Sequence, residues 1–227
     1  YIEYLKNKGR TILDLFQENV ANISTVDGVT GIKSFNYSDI KPIQILENLF
    51  MLPGNLNLYQ IEISAGSGKE NRLKKYLDEI NKIYHFDYVI IDTPPTPSIW
   101  MISALLASDY YIIPVKPDPL SYTGIELLQN IIYQKKRDLD LNIKCMGIVL
   151  TIVEEGTIVF NKCMETIGKK KQLKDLLYKK YLKKRTDIAK FQLNQQFILD
   201  QSKDDIKLCL TGIVQEMIKR INDDETK

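Results

Sequence analysis

The residues best placed to do chemistry sit in one short stretch, Phe86-Asp87-Tyr88-Val89-Ile90-Ile91-Asp92-Thr93-Pro94-Pro95. An almost unbroken apolar run, rich in β-branched and aromatic residues, ends there in a carboxylate. A carboxylate one residue past a buried strand lies on the edge where open α/β sheets bind ligands. In that place an aspartate can hold, usually through a coordinated water, a Mg²⁺ ion that bridges phosphate groups. The bland alternative is an aspartate capping a turn before proline, which four apolar residues followed by Asp, taken alone, would suit more often than not. The following Thr93-Pro94-Pro95 favours the metal-holding reading, and Asp92 becomes the leading functional residue.

A second stretch carries charge. Lys169-Lys170-Lys171-Gln172-Leu173-Lys174-Asp175-Leu176-Leu177-Tyr178-Lys179-Lys180-Tyr181-Leu182-Lys183-Lys184-Arg185 holds eight lysines, one arginine and one aspartate, a local +8 in a chain whose total is +2. Such a run binds phosphate backbones by counterion release, without reading base sequence and with steep salt dependence. The competing reading is a solvated helix face above a buried stripe of Leu173, Leu176, Leu177 and Tyr181. A third stretch, Ile63-Ser64-Ala65-Gly66-Ser67-Gly68-Lys69-Glu70, has the strand-before, helix-after context of a phosphate loop. Its first glycine position is Ile63, however, and its Mg-binding hydroxyl position is Glu70, so it reads as a connector.

The elements that position these residues follow from periodicity. Leu73, Tyr76, Leu77, Ile80 and Ile83 recur at helical spacing after Asn71, and 86–91 then reads as a strand buried on both faces. Ser98 to Ser108 reads as a helix, Tyr110 to Val115 as a buried strand, Tyr122 to Lys136 as a helix and Ile143 to Thr151 as a buried strand. Further strands are expected at Asn48 to Leu52 and Leu58 to Ile63, and a last helix at Asp204 to Ile221. Strands alternating with helices imply α/β architecture: a doubly wound, mostly parallel sheet with helices on both faces. Length (227 residues), 44% hydrophobic and 26% charged residues suit one globular domain over 1–227 and exclude a disordered or collagen-like chain. Three scattered cysteines read as small core residues in a reducing cytoplasm, and the single histidine, His85, as a surface residue. The stretch Trp100 to Val115 is too interrupted to span a membrane. Tyr1 in place of methionine, with no visible leader, reads as the start of a fragment.

Around Asp92 the chain resembles the ParA/MinD/Soj family of deviant Walker-type ATPases. "FDYVIIDTPP" and "ALLASDYYIIPVKPDPLSYTGIELLQNI" are very similar to that family's "D-Y-V-I-I-D-T-P-P" strand and the following segment, which ends in a Gly-Leu helix. Gly9 to Phe16, Glu47 to Asn55 and Met146 to Thr151 resemble it more weakly. The resemblance implies a P-loop NTPase-like fold, Mg-ATP binding, an ATP-dependent homodimer and slow hydrolysis coupled to plasmid or chromosome partition. It implies Asp92 as the Mg²⁺-holding catalytic residue, Thr93, Pro94 and Pro95 as the switch that senses the γ-phosphate, and Thr151 on the base side of the nucleotide. It also implies non-specific DNA binding by Lys169, Lys170, Lys171, Lys174, Lys179, Lys180, Lys183, Lys184 and Arg185, and a partner protein in the partition complex.

The family's amino-terminal "K-G-G-x-x-K-T" loop and its "D-x-D-P-Q" segment do not occur in these 227 residues. The expectation is therefore a family member without its first strand and P-loop, inactive as it stands, or else a catalytically silent interaction or DNA-binding module. The family's "I-P-R" segment aligns with Leu182-Lys183-Lys184, so its proline is missing. The acidic end, Asn222 to Lys227, would be repelled by anionic lipid, which favours a DNA-partition member over a membrane-site one.

Overall fold

The computed structural model describes residues 9–16, 36–59, 68–94, 96–194, 196–201 and 204–226. The chain divides into two compact units, Tyr1–Ser108 and Asp109–Lys227.

In the first unit, helix α1 (Ile12–Phe16) starts where the Asp14 carboxylate accepts the Thr11 backbone N–H at 2.7 Å, tying down an amide that a helix start leaves orphaned. Strands β1 (Ile43–Leu46) and β2 (Leu49–Met51) pair antiparallel, with a register shift between Gln44 and Leu46. A 3₁₀ turn at Lys69–Asn71 leads into α2 (Arg72–Tyr84), and α3 (Ile99–Leu106) follows later. Three of the five expected stripe residues are buried: Leu73, Tyr76 and Ile80 pack with Leu13, Leu15, Phe16 and Ile40, with Leu77 partly buried beside them, whereas Ile83 is 58% exposed; Trp100 meets Phe16 edge-on at 4.8 Å. Each aliphatic side chain so buried contributes about 1.5–3 kcal/mol.

In the second unit, β3 (Tyr110–Val115) and β4 (Lys144–Leu150) pair in parallel across α4 (Ser121–Asp138). Parallel strands need such a crossover, and the continuous apolar runs are what a strand covered on both faces requires. Next come α5 (Ile158–Lys169) and α6 (Lys171–Leu176), then α7 (Thr186–Leu193), α8 (Ile198–Gln201) and α9 (Asp204–Glu225). Between α6 and α7 the chain runs beside β4 as an irregular edge, with parallel bridges Ile148 to Leu177 and Val153 to Lys183. The core gathers Ile113, Val115, Ile125, Ile148, Leu150, Val153, Cys163, Ile167 and Leu173.

Three expectations change. The sheets among the described residues are two-stranded, one antiparallel and one parallel, in place of one large doubly wound sheet. The stretch 86–91 forms no strand: Tyr88, Val89 and Ile90 are 53%, 48% and 88% exposed. No strand among the described residues lies beside it to pair its amides and cover its side chains, and an apolar run buries only against a neighbour. The strand expected at 48–52 is one arm of a hairpin, and most of the one expected at 58–63 lies outside the described residues. No described helix is long and apolar enough to cross a membrane.

Candidate functional site

Asp92 is positioned from its amino-terminal side. Helix α2 ends at His85, exposed and left-handed at φ 52°, whose N–H donates to the Asn81 carbonyl at 2.9 Å. The Asn81 side chain accepts the Phe86 N–H at 2.7 Å. Phe86 stacks on Tyr84 at 5.3 Å, and Phe50 of β2 meets both rings edge-on at 5.2 and 5.5 Å. This aromatic trio fixes where the 86–94 segment starts, and Ile91 anchors it again at the margin of the first core. Asp92, Thr93 and Pro94 then stand exposed, and Pro95 lies outside the described residues. Among the described residues Asp92 makes no hydrogen bond or ion pair, so its carboxylate is uncommitted.

Thr151 belongs to the second unit. It follows β4, half-buried, and its N–H donates to the Val115 carbonyl at 2.8 Å, which places it at the carboxyl end of both parallel strands. Beside it the β3–α4 loop is braced: Asp118 accepts the Leu120 N–H at 2.9 Å, and hydrogen bonding with Ser121 foremost holds its carboxyl below the usual range. After Thr151 the chain kinks at Ile152, φ 54°, and joins the edge segment: Val153 N–H donates to Leu182 O at 3.0 Å and Lys184 N–H to Val153 O at 2.9 Å. Thr151 and the end of the basic run are thereby brought together.

The basic run is not one helix. It spans the end of α5, all of α6 and the edge segment, with Leu173 and Tyr178 buried beneath. Five of its nine cations are ion-paired: Lys169 with Glu165 at 2.6 Å, Lys170 with Glu126 at 2.7 Å, Lys183 with Glu155 at 2.6 Å, Lys184 with Glu154 at 3.0 Å, and Arg185 with Asp187 and Asp205, both at 2.8 Å. Lys170 also lies 4.3 Å from the centre of the Tyr122 ring, whose hydroxyl donates to Glu126. Lys171, Lys174, Lys179 and Lys180 are exposed with no ion pair among the described residues. The cleft next to the run, between Leu182, Arg185, Ile188, Asp205, Ile206 and Cys209, holds about 100 Å³. Small-molecule sites take roughly 300 Å³ or more, so this cleft is too small for one.

Sequence reasoning missed the acidic partners. Of the run's acidic partners only Glu165, four residues before Lys169, carries the helical-spacing signal. It also missed Arg220, which reaches the carbonyls of Met146, Leu176 and Leu177 at 3.0–3.1 Å and lies over the Tyr178 ring. Burial pushes the Cys145 and Cys163 thiols up, away from the thiolate form.

Among the described residues no group of three or more His, Cys, Asp or Glu side chains could hold a metal. Mg²⁺ asks less, taking one or two carboxylates alongside waters and phosphates, so the Asp92 carboxylate fits the metal side of a nucleotide site. A phosphate cradle of backbone amides has no counterpart among the described residues: Gly68, at φ 88°, leads straight into the 3₁₀ turn, and Lys69 is buried. The fit is therefore partial: Asp92 suits the metal, and nothing among the described residues cradles the phosphates.

The parallel β3–α4–β4 crossover defines an α/β protein, and known proteins similar to it narrow that class. A family model described as an AAA domain matches residues 7–145. The sporulation initiation inhibitor protein Soj of Bacillus subtilis is 32% identical over 143 residues, 62% of this chain and 55% of Soj. The chromosome partitioning protein ParA of Caulobacter vibrioides is 26% identical over 111 residues, 48% of this chain and 42% of that protein. A plasmid partition protein of Borrelia burgdorferi, solved with AMPPNP bound, superposes with TM-score 0.69 at 24% identity over 96% of this chain and 79% of its own. The chain belongs to this AAA-domain family, and within it is similar to Soj and ParA. It spans about half the length of the curated relatives it matches.

Proposed function

We propose that this chain serves a ParA-type Mg-ATP-dependent partition ATPase that segregates plasmid or chromosomal DNA in the cytoplasm. The observation that carries the reading is the family match over 7–145, which contains Asp92-Thr93-Pro94-Pro95. In this reading Asp92 holds Mg²⁺ through water, Thr93, Pro94 and Pro95 respond to the γ-phosphate, and Thr151 faces the base. The uncommitted Asp92 carboxylate and the place of Thr151 at the carboxyl end of β4 support those roles. The basic run, with Lys171, Lys174, Lys179 and Lys180 foremost, touches non-specific DNA. The remaining parts of the proposal are one ParA-like domain over 1–227, an ATP-dependent homodimer, a partition-complex partner and no membrane contact.

The 227 residues contain no K-G-G-x-x-K-T loop, and we infer that by themselves they neither bind nor hydrolyse ATP. The test is Mg-dependent ATP turnover by this chain with and without Asp92→Ala. No turnover by either is expected, and turnover that Asp92→Ala abolishes would overturn the inference. The same missing motif favours a second reading, a silent DNA-binding or interaction module. Reading the DNA upstream of the Tyr1 codon in frame separates them: a K-G-G-x-x-K-T loop supports the ATPase, and a start codon or unrelated sequence supports the silent module.

A further inference from the structure

The loop that follows β4 carries two consecutive carboxylates opposite two consecutive lysines. Lys183 Nζ lies 2.6 Å from Glu155 Oε2 and Lys184 Nζ 3.0 Å from Glu154 Oε1. The Tyr181 hydroxyl donates to the other Glu155 oxygen. The match is built by the backbone. Val153 and the edge segment exchange hydrogen bonds on either side of Lys183, at 3.0 Å to Leu182 and 2.9 Å from Lys184. At its far end the loop is pinned by Thr157, whose hydroxyl donates to Glu154 O at 2.8 Å and accepts the Phe160 N–H at 3.2 Å as the cap of α5. Holding both partners in place beforehand removes part of the entropy that weakens most surface ion pairs. Nothing similar covers Lys171, Lys174, Lys179 or Lys180 among the described residues.

We propose that Glu154 and Glu155 form an electrostatic latch that withholds Lys183 and Lys184 from duplex DNA, so that the chain contacts the phosphate backbone with four open lysines until the β4–α5 loop moves. The inference rests on the DNA-binding reading and adds its regulation. The occupant is duplex DNA by charge complementarity: the run is dense in cations, and the neighbouring cleft, at about 100 Å³, is too small for a compact ligand. Because the latching loop also carries Thr151, whatever reshapes the carboxyl edge of β4 changes the number of free cations. By reciprocity DNA binding would reshape that edge.

The experiment measures binding of a random-sequence DNA duplex against salt for the full 227-residue chain. Four forms are compared: wild type, E154Q/E155Q, K183Q/K184Q, and all four substitutions together. All four side chains are exposed, and circular dichroism checks folding. Each phosphate contact contributes about 0.9 to the slope of log K against log salt, so wild type is expected near ~3.6 and E154Q/E155Q near ~5.4. Each exposed ion pair is worth a factor of up to about 5, so unlatching should raise affinity up to about 25-fold at low salt. K183Q/K184Q should leave the wild-type slope unmoved yet cancel the gain of E154Q/E155Q.

Binding by wild type with a slope that E154Q/E155Q does not steepen would overturn the latch alone, as would an equal loss from K183Q/K184Q in both backgrounds. No salt-dependent binding by either wild type or E154Q/E155Q would overturn the latch together with the DNA-binding reading beneath it.

Discussion

Replacing Arg220 by methionine should destabilise the second unit by about 3 kcal/mol. The guanidinium donates through Nη1 to Met146 O at 3.0 Å and Leu176 O at 3.1 Å, and through Nη2 to Leu177 O at 3.0 Å and Glu216 Oε1 at 2.7 Å. It thus ties α9 to β4 and to the junction after α6 with one rigid fork, and its centre lies 4.4 Å over the Tyr178 ring. Only 22% of the Arg220 side chain and 16% of Glu216 are exposed. A hydrogen bond to a charged group is worth about 1.5–3 kcal/mol when dry, and with water reaching part of this one about 1 kcal/mol for each of the three carbonyls is reasonable. Leaving Glu216 half-buried without its cation adds roughly 1 kcal/mol, and the methionine stem on Tyr178 returns about the same. Urea unfolding followed by far-ultraviolet circular dichroism reads the result. At a slope of about 1–3 kcal/mol/M the midpoint should fall by roughly 1–3 M. Arg220→Lys should lose more than half as much, since an ammonium cannot serve three carbonyls as a planar fork does. Arg137→Met, at a 74% exposed side chain 3.9 Å from Asp138, should cost under about 0.5 kcal/mol. A midpoint for Arg220→Met within ~0.2 M of Arg137→Met, the resolution of such midpoints, or full retention by Arg220→Lys, would refute the role of Arg220 as a clasp.

Other expectations are independent of that one. Gly147→Ala should cost ~3 kcal/mol or more, because φ is 137° and an added Cβ would lie 2.4 Å from Leu176 O; calorimetry of the variant checks it, and a near-wild-type melting temperature would contradict it. Tyr110→Phe should cost about 1 kcal/mol, since its hydroxyl donates to Asp224 at 3.0 Å and helps dock the end of α9; amide exchange at 221–226 should rise with it. Asp118 has a folded pKa below its unfolded value, so its stabilising contribution is complete above about pH 4 and fades as pH falls through the folded value. Asp118→Asn should therefore lower the neutral-pH urea midpoint while flattening its decline towards acid. Cys163 should be the slowest of the three thiols to react with a disulfide reagent in the native chain, because it alone among them is buried and burial raises its pKa.

Legibility in the sequence followed how locally each feature was determined. The helices α2, α4 and α9 were readable from the spacing of Leu73, Tyr76 and Ile80, of Ile125 and Ile132, and of the final run, because one apolar stripe per helix faces a core whatever that core contains. Strands β3 and β4 were readable because their partners lie within the same unit. The 86–91 stretch has the same apolar signature and is exposed, which shows that such a run states a demand for neighbours and does not supply them. Asp92 stood out at the break after that run, but the buried strand expected to carry it is not formed. The charge arithmetic of the basic run was legible too, but its neutralisation was not: Glu126, Glu154, Glu155 and Asp205 lie 20 to 44 residues from the cations they meet, beyond any local pattern. Near-neutral totals and a dense cationic run thus coexist because the acids come from other elements.

The central claim, that Asp92 is the Mg²⁺-holding residue of a partition ATPase, is tested most directly by one measurement. Mg-dependent ATP hydrolysis is compared for this 227-residue chain and for the chain extended upstream in its own reading frame, each with and without Asp92→Ala. The shorter chain should be silent, and where the upstream frame encodes a K-G-G-x-x-K-T loop the extended one should hydrolyse ATP. Asp92→Ala should then cost about a hundredfold or more, as expected when the group that positions a phosphate-bridging metal is removed. Hydrolysis by the extended chain that Asp92→Ala leaves intact would contradict the claim.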